Sequence, residues 1–571
     1  MAELYDLVVR GGIIVDGTGA PRFRGDVAVK DGKIAAVGEV DGSGREEIDA
    51  SGRLVTPGFV DIHTHYDGHA TWTDRFQPSS QHGVTTVLAG NCGVGFAPCK
   101  ASDRDRLISL MEGVEDIPEP VMTAGLPWNW ESFPDYLDSI DGRAFDIDIA
   151  TQVPHAPLRV FVMGNRAAEK APATADDIAR MAALAREAVE AGALGFSTSR
   201  SLNHKANDGT ITYSYAAASD ELAGIARGLG EAGKGVLQLI SDFDDVDGEF
   251  DIVERMVSES GRPLSLSLLQ SSGDPNTWRS VLNRVEAARE GGAPIRAQIS
   301  GRPIGLIMSL DLSRHPFMAS PSYNEIARLP LAERLAEMRN PQRRERILHD
   351  CAQAADQSLF ARFSVMYEMD DNPDYEPRPD DSIAARAVRV GIDPVAMAYD
   401  ILVDGTGVIY LPAANYRDNS IEPILTMLAH EATTFGLGDG GAHCGMICDA
   451  SLPTYYLSRW IGPEGGDDGR MPVEALIRKL TMDTADLVGL GDRGQIAPGL
   501  RADLNVIDLD NVALMKPEAV GDLPEGAKRI GQRARGYVAT IVAGEITYRD
   551  GEPTGALPGR LVRGARARAS A

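Results

Sequence analysis

Two histidines stand one residue apart in the segment VTPGFVDIHTHYDG, residues 55–68. His63 and His65 follow an apolar run, and this pattern is typical of a short buried strand that ends in polar residues. Side chains at positions i and i+2 of a strand point to the same side, so both imidazoles can bind one ion. Because imidazole is a common neutral metal ligand, the spacing predicts a metal site at this strand end.

The middle of the chain alternates short apolar strands with helical stretches. In residues 175–197, ADDIARMAALAREAVEAGALGFS, the apolar residues keep helical spacing, Gly192 ends the helix, and a strand follows. Repeated strand-then-helix units indicate an α/β fold with a parallel sheet, and their number favours a closed TIM-like (β/α)8 barrel. Functional residues are then expected just after the strands.

The two ends of the chain have a different, strand-like alternation that is broken by turns. The KDGK at residues 30–33 places Asp-Gly between apolar runs, a strong hairpin signal. The stretch 301–420 fits neither pattern, and it is either an insertion that covers the barrel mouth as a lid or surface decoration. We therefore predict a small β-sandwich from residues 1–56 and 491–552, a barrel over 57–490, and a C-terminal tail over 553–571.

Composition limits the classes of partner. The chain has 571 residues with a net charge of −27 and a pI near 4.8, which argues against nucleic acid or an anionic membrane and suits a small-molecule substrate. The N-terminus does not resemble a secretory signal, and no run approaches the length of a membrane span. Five scattered cysteines favour a reducing cytoplasm, and a basic tail is compatible with a homo-oligomer.

Three motifs together resemble a known family. VTPGFVDIHTHYDG is followed by QHGVTTVLAGNCGVGFAP and later by FGLGDGGAH. This set resembles the metal-dependent amidohydrolase superfamily, and the middle motif is most similar to its D-aminoacylase group, the N-acyl-D-amino-acid deacylases. The terminal motifs VVRGGIIVDGTG and IAPGLRADLNVIDLD match the small β-domain of that superfamily. The resemblance implies the barrel, the β-domain and hydrolysis of a carbon–nitrogen bond.

The resemblance also implies a ligand set. His63 and His65 bind metal at the end of the first barrel strand, Cys92 binds after the second, and Asp439 follows the eighth. These donors suit one or two Zn²⁺ ions with a bound water, whose pKa zinc lowers to about 7. Asp439 is then the general base and acid that moves a proton from water to the leaving nitrogen. The plain alternatives are a buried structural thiol at Cys92 and a turn-forming carboxylate at Asp439.

The sequence departs from the family around the fifth and sixth strands. The family's metal-binding histidines on the fifth and sixth strands are absent, and Gln238 and Gln270 stand nearest to those positions. The site therefore holds one metal, or other residues replace the ligands, or catalysis has been lost. His204 and His443 follow predicted strands and are possible additional site residues, as is His155; for each, the alternative is a histidine bonded to backbone.

Two arginines near predicted strand ends are candidate substrate ligands. Arg200 and Arg302 each offer a guanidinium that can bind a carboxylate through two hydrogen bonds, although most arginines are solvated or pair on the surface. Gln238 and Gln270 are further candidates for substrate binding. The leading hypothesis is zinc-dependent deacylation of an N-acyl amino acid. The alternatives are hydrolysis of a cyclic or bulkier amide, and an inactive protein that retains the amidohydrolase fold.

Overall fold

Parallel strands form the centre of the fold in the computed structural model, which describes residues 4–271, 273–354, 362–463 and 468–566. The first sheet has the order Phe59–Asp61, Val84–Ala89, Asp148–Thr151. The second has the order Val153–Pro154, Gly195–Arg200, Val236–Ser241, Leu264–Ser267, Ile295–Ile299, Thr433–Phe435. The parallel pairing confirms the predicted α/β class.

The two central sheets approach each other at both edges. Gln152 alone separates the Asp148–Thr151 strand from the Val153–Pro154 strand along the chain. At the opposite edge an isolated parallel bridge joins Thr64 to Gly440, just beyond the ends of their strands. The chain segments that follow the first and last central strands are therefore neighbours.

Helices connect the central strands. The helix predicted from its apolar spacing is present over Ala175–Ala191; it begins with a capping box between Thr174 and Asp177 and ends before Gly192, whose φ of 126° favours glycine. The other longer helices of the central region are Arg104–Glu115, Phe133–Asp141, His155–Met163, Ser219–Ala232, Val246–Ser260, Thr277–Glu290, Glu422–Ala429, Leu452–Arg459 and Val473–Leu480. The shorter ones are His69–Trp72, Glu119–Gly125, Asn165–Ala168 and Met482–Leu487.

The two ends of the chain pair in one nine-stranded sheet. The N-terminal strand Leu4–Ile14 pairs with Leu54–Pro57, which in turn pairs with the C-terminal strand Leu504–Ile507. Apolar side chains from both ends pack on this sheet, among them Val9, Val55 and Val506. The remaining strands of the sheet are Phe23–Lys30, Lys33–Gly38, Ser43–Asp49, Tyr537–Val542, Glu545–Arg549 and Glu552–Pro553.

The 301–420 stretch contains a small unit with its own apolar core. Its antiparallel strands are Ile304–Met308, Tyr367–Glu368 and Ile409–Ala414. Met308, Phe317 and other side chains form a cluster separate from that of the central region. Its helices are Pro321–Asn324, Leu331–Met338, Pro341–Ala354, Ile383–Val390 and Pro394–Val403.

The C-terminal tail returns to the central region. Gly559 and Leu561 form isolated bridges with Phe145 and Ile149, beside the Asp148–Thr151 strand. Residues 567–571 of the predicted tail lie outside the described part of the chain. Within the described residues, no helix combines the length and the apolar character that a membrane span requires.

Candidate metal centre

The predicted histidine pair and Cys92 meet in one buried cluster. His63 and His65 follow the Phe59–Asp61 strand, and Cys92 follows the neighbouring Val84–Ala89 strand. One nitrogen from each imidazole and the Cys92 sulfur all lie within 4.8 Å of one another, and Nε2 of His63 is 3.2 Å from that sulfur. Because adjacent parallel strands end at the same edge, residues far apart in sequence converge here.

Asp439 lies beside the same two imidazoles. Its Oδ1 is 3.4 Å from Nε2 of His63 and 3.8 Å from Nε2 of His65. Its backbone N–H donates to the carbonyl of His63 at 2.9 Å, and the N–H of His65 donates to the carbonyl of Gly440 at 2.8 Å. The carboxylate is thus held at the cluster by the backbone pairing of the two strand ends.

Two glutamines from the central strands orient the cluster. Gln298 on the Ile295–Ile299 strand accepts from Nδ1 of His63 at 2.7 Å and donates to Ser265 at 2.8 Å. With the proton on Nδ1, the lone pair of Nε2 faces Cys92 and Asp439. Gln238 accepts from the backbone N–H of Cys92 at 3.0 Å, so this residue of the predicted substrate set lies in contact with the cysteine backbone.

The electrostatics of the cluster suit a cation. Burial lowers the pKa of His63 to about 4 and that of His65 well below its usual value, so both are neutral, the form that binds metal. Burial raises the pKa of Cys92 and that of Asp439 well above their usual values, with Glu115 and Asp439 adding to the shift at the thiol. A bound divalent cation lowers these pKa values again, because it favours the deprotonated thiolate and carboxylate. The donor set fits zinc.

His204 and His443 border the cluster. Nδ1 of His204 and the Ser199 hydroxyl form a hydrogen bond at 2.8 Å. Nε2 of His443 is 3.9 Å from a carboxylate oxygen of Glu115. Burial lowers the pKa of each to about 4, and in His204 the nearby His443 adds to that shift. Both residues therefore lie close to the predicted ligands.

Sequence reasoning missed Glu115 and Gln298. Glu115 ends the Arg104–Glu115 helix, its side chain is buried, and its Oε1 is 3.2 Å from Nδ1 of His65. No local pattern marks it, because its partner His65 belongs to a different element, the segment after the Phe59–Asp61 strand. Gln298 carried a weak signal: it is an uncharged polar residue between the apolar Ala297 and Ile299 of a buried strand.

Within the described residues, the hydrogen bonds and ion pairs given for the other candidates are with groups other than the proposed ligands. Arg200 pairs with Glu249 on the Val246–Ser260 helix at 2.7 Å, and Arg302 forms a buried pair with Asp449 at 2.7 Å. His155 contacts Thr198 at 2.8 Å and Glu221, on the Ser219–Ala232 helix, at 3.0 Å. Gln270 contacts Asn415 and Arg417 of the 301–420 unit.

The chain is similar to known proteins over nearly its whole length. The model of the amidohydrolase family matches residues 46–548. A D-aminoacylase of Alcaligenes xylosoxydans xylosoxydans is 27% identical over 98% of each chain. A solved D-aminoacylase structure with a binuclear metal centre is 25% identical, covers 98% of this chain and 100% of its own, and has a TM-score of 0.65.

A further solved structure supports the fold. The N-acyl-D-glutamate deacylase of Bordetella bronchiseptica, in a complex with zinc and a phosphonate inhibitor, has a TM-score of 0.64 at 24% identity; 98% of this chain and 100% of that one are covered. The chain therefore belongs to the amidohydrolase family and is a metal-dependent enzyme similar to the D-aminoacylases, as its sequence motifs predict.

Proposed function

We propose that this chain is a zinc-dependent hydrolase of amide bonds that removes the acyl group from an N-acyl amino acid. The observation that carries the proposal is the convergence of His63, His65 and Cys92 within 4.8 Å, with Asp439 beside both imidazoles. Two imidazoles, a thiolate and a carboxylate are donors that zinc prefers. The similarity to D-aminoacylases over nearly the whole chain supports the substrate class.

The chain's own residues divide the chemistry between them. Bound zinc supplies a Lewis acid that activates water and polarises the amide carbonyl. Asp439 takes the proton of the attacking water on its carboxylate and delivers it to the leaving nitrogen, because it alone among the proposed ligands has appreciable exposure. The Asp439 side chain is 19% exposed, against 1% for His63 and 2% for His65, so a substrate can reach it.

The missing family histidines favour a single strong zinc site. Gln238 accepts from the backbone N–H of Cys92 and Gln270 contacts the 301–420 unit, so we propose neither amide as a metal ligand. His204 and His443 border the cluster and are proposed to hold a second, weaker ion or the substrate. Such a role is consistent with neutral imidazoles beside the ligands.

The finer architecture is proposed along with the function. We propose that the central strands close into a (β/α)8 barrel, which the Thr64–Gly440 bridge favours. The strands from 1–56 and 491–552 are proposed to fold as a β-sandwich, and the 301–420 unit to cover the barrel mouth. A cytoplasmic location and a homo-oligomer remain predictions from the sequence.

Metal content tests the proposal first. Protein purified without chelator is expected to carry zinc, and His63→Ala and Cys92→Ala are expected to lose it while keeping their far-UV circular dichroism. Cys99→Ala is the matched control, because Cys99 is another buried free cysteine after the same strand. An absence of metal from the wild-type protein would favour an inactive scaffold.

A substrate panel tests the reaction. N-acyl-D-amino acids, N-acyl-L-amino acids, cyclic amides and aryl amides are offered to the zinc-loaded enzyme, and release of free amine is measured. Turnover of the N-acyl-D-amino acids above the other classes supports the proposal. Turnover confined to cyclic or aryl amides would replace it with the second hypothesis.

A further inference from the structure

We propose that Glu115 is a positioning residue of the metal centre: its carboxylate holds the imidazole of His65 in the orientation and tautomer that present Nε2 to the ion. The inference rests on the proposed metal-dependent function. It assigns a role to a residue outside the sequence motifs that carry the resemblance to the family.

The geometry around the His65 ring has two distinct sides. Nδ1 is 3.2 Å from Oε1 of Glu115, whereas Nε2 is 3.8 Å from Oδ1 of Asp439. Within the described residues this buried Nδ1 has no partner at full hydrogen-bond geometry, and the Glu115 carboxylate is an acceptor within its reach. A proton on Nδ1 leaves the Nε2 lone pair toward Asp439 and the cluster. A carboxylate behind a metal-binding histidine fixes the ring and raises its basicity.

His63 provides an internal parallel. Its Nδ1 meets an oxygen acceptor as well, the amide oxygen of Gln298 at 2.7 Å. Both predicted histidine ligands therefore have an oxygen behind the ring and the cluster in front of it. The difference is the accepting group, because Gln298 offers an amide oxygen whereas Glu115 offers a carboxyl oxygen.

The burial of Glu115 supports a partnership with a cation. Its side chain is only 2% exposed, and its ion-pair contacts within the described residues are the imidazoles of His65 and His443. A buried carboxylate is costly unless a positive charge compensates it. A metal ion held by the predicted ligands, beyond the His65 ring, would supply such a charge.

The backbone of Glu115 is anchored independently of its side chain. Its carbonyl accepts the backbone N–H of His443, in the loop that follows Asp439. The Arg104–Glu115 helix also buries Leu107, Leu110 and Met111. A substitution of the Glu115 side chain therefore leaves the end of the helix attached to this loop.

Zinc affinity of two variants tests the inference. Glu115→Leu removes the acceptor, and we expect about 10- to 100-fold weaker zinc binding in competition with a chromophoric chelator. Glu115→Gln restores an oxygen acceptor without the charge, as at His63, and is expected to recover part of the affinity. Asp105→Asn is the matched control: it removes an exposed carboxylate from the same helix and should bind zinc as the wild type does.

Further measurements separate positioning from a purely structural role. The cobalt-substituted Glu115 variants are expected to show a shifted visible absorption spectrum, since the ligand field changes, while thermal unfolding of the metal-free protein changes little. Zinc affinity of Glu115→Leu within about threefold of the wild type would overturn the inference, given the size of effect expected. If Glu115→Leu does not fold, Glu115→Ala, which also lacks the acceptor, takes its place under the same criterion.

The wild-type protein distinguishes the two levels of failure. A wild type that binds no zinc refutes the proposed function itself. A wild type that binds zinc, together with Glu115 variants that bind it equally well, refutes only the role of Glu115.

Discussion

At the scale of single residues, the cluster depends on backbone conformations that residues other than glycine rarely adopt. Cys92 has a φ of 55°, Asp439 a φ of 48° and His443 a φ of 49°. Left-handed conformations of this kind cost about 1–3 kcal/mol each and persist where the surrounding structure over-determines them. At Asp439 that support includes its N–H bond to the His63 carbonyl. Strain here is thus concentrated where the proposed ligands must meet.

The first prediction concerns Asp439. Asp439→Asn is expected to keep its backbone conformation, because asparagine tolerates positive φ about as well as aspartate. It loses a carboxylate that can accept and donate a proton, so kcat is expected to fall by about 10²- to 10⁴-fold. The measurement is kcat on the preferred amide, with zinc content determined in parallel.

Asp418→Asn is the matched control for this change. Asp418 also has a positive φ, 57°, but is exposed in a loop of the 301–420 unit. It should leave kcat unchanged. A kcat for Asp439→Asn within about threefold of the wild type would contradict a role in proton transfer, for which a loss of at least 10²-fold is typical.

At the scale of elements, one side of the Gly195–Arg200 strand faces the candidate metal centre and the other side faces the surrounding helices. On the Gly195–Arg200 strand, Ser197 contacts Gly90 and Gly93, and Ser199 contacts His204. Arg200, on the opposite side, contacts Glu249 of a helix. Side chains alternate along a strand, so if one residue faces the cluster, the next residue faces the helices.

The second prediction follows from this alternation. Arg200→Ala is expected to leave KM within about threefold of the wild type and to lower the free energy of unfolding by about 1.5–3 kcal/mol, the cost typical of a lost hydrogen bond to a charged group. The lost contacts join Nε and Nη2 to the Glu249 carboxylate at 2.7 and 2.8 Å. KM is measured by steady-state kinetics and stability by denaturant unfolding.

Arg180→Ala, on the exposed face of the Ala175–Ala191 helix, serves as the control and should change neither quantity. A rise in KM well beyond threefold in Arg200→Ala, without loss of stability, would indicate that Arg200 binds the substrate.

At the scale of the whole molecule, one buried arginine links the central strands to the sheet of the chain ends. Nη1 of Arg493 is 2.7 Å from Thr86 and 2.7 Å from Asp148, both on central strands. It is also 3.8 Å from Asp503, next to the Leu504–Ile507 strand of the other sheet. Arg501 bridges the same two carboxylates at 2.9 and 3.2 Å. The relative position of the two sheets thus depends on a network of charges.

The third prediction tests this network. Arg493→Met keeps a similar length but removes the charge, leaving Asp148 buried beside Asp503 with less compensation. Breaking a buried pair by removal of one partner typically costs about 3–5 kcal/mol. We expect a clearly lower thermal midpoint in calorimetry, and an unchanged midpoint for Arg535→Met at an exposed position. Equal midpoints for the two variants would show that the network contributes little.

The fourth prediction concerns pH. His82 is buried between Thr454 at 2.7 Å and the carbonyl of Gln532 at 2.8 Å, and burial lowers its pKa to about 4. The unfolded chain binds a proton near pH 6.5, so it holds more protons than the folded chain between pH 6.5 and about 4. The stabilising contribution of neutral His82 is therefore present above pH 6.5 and is lost as the pH falls toward 4.

His82→Gln removes this titration. The difference in thermal midpoint between wild type and variant is expected to narrow as the pH falls from about 7 to about 5, because only the wild type loses the contribution of His82. A difference in thermal midpoint that stays constant over this pH range would contradict the lowered pKa of His82.

The sequence by itself determined the features that depend on neighbouring residues. The i, i+2 spacing of His63 and His65 and the alternation of strands and helices are local patterns. The parallel sheets confirm the α/β class, and the role of the histidine pair as metal ligands stays a prediction. The motifs around Cys92 and Asp439 predicted the family, which the comparisons confirm. Local periodicity fixes the type of an element and the direction of its side chains, so these features needed no knowledge of the tertiary contacts.

Only the tertiary structure decided which distant residues meet. Gln298 contacts His63 across 235 positions of sequence, and Glu115 reaches His65 from the end of a helix. It also decided that Arg200 and Arg302 pair with Glu249 and Asp449, respectively, although their positions near strand ends had suggested the site. The physical reason is that the order and register of the strands determine which groups become close neighbours, and no pattern within a single element contains that information.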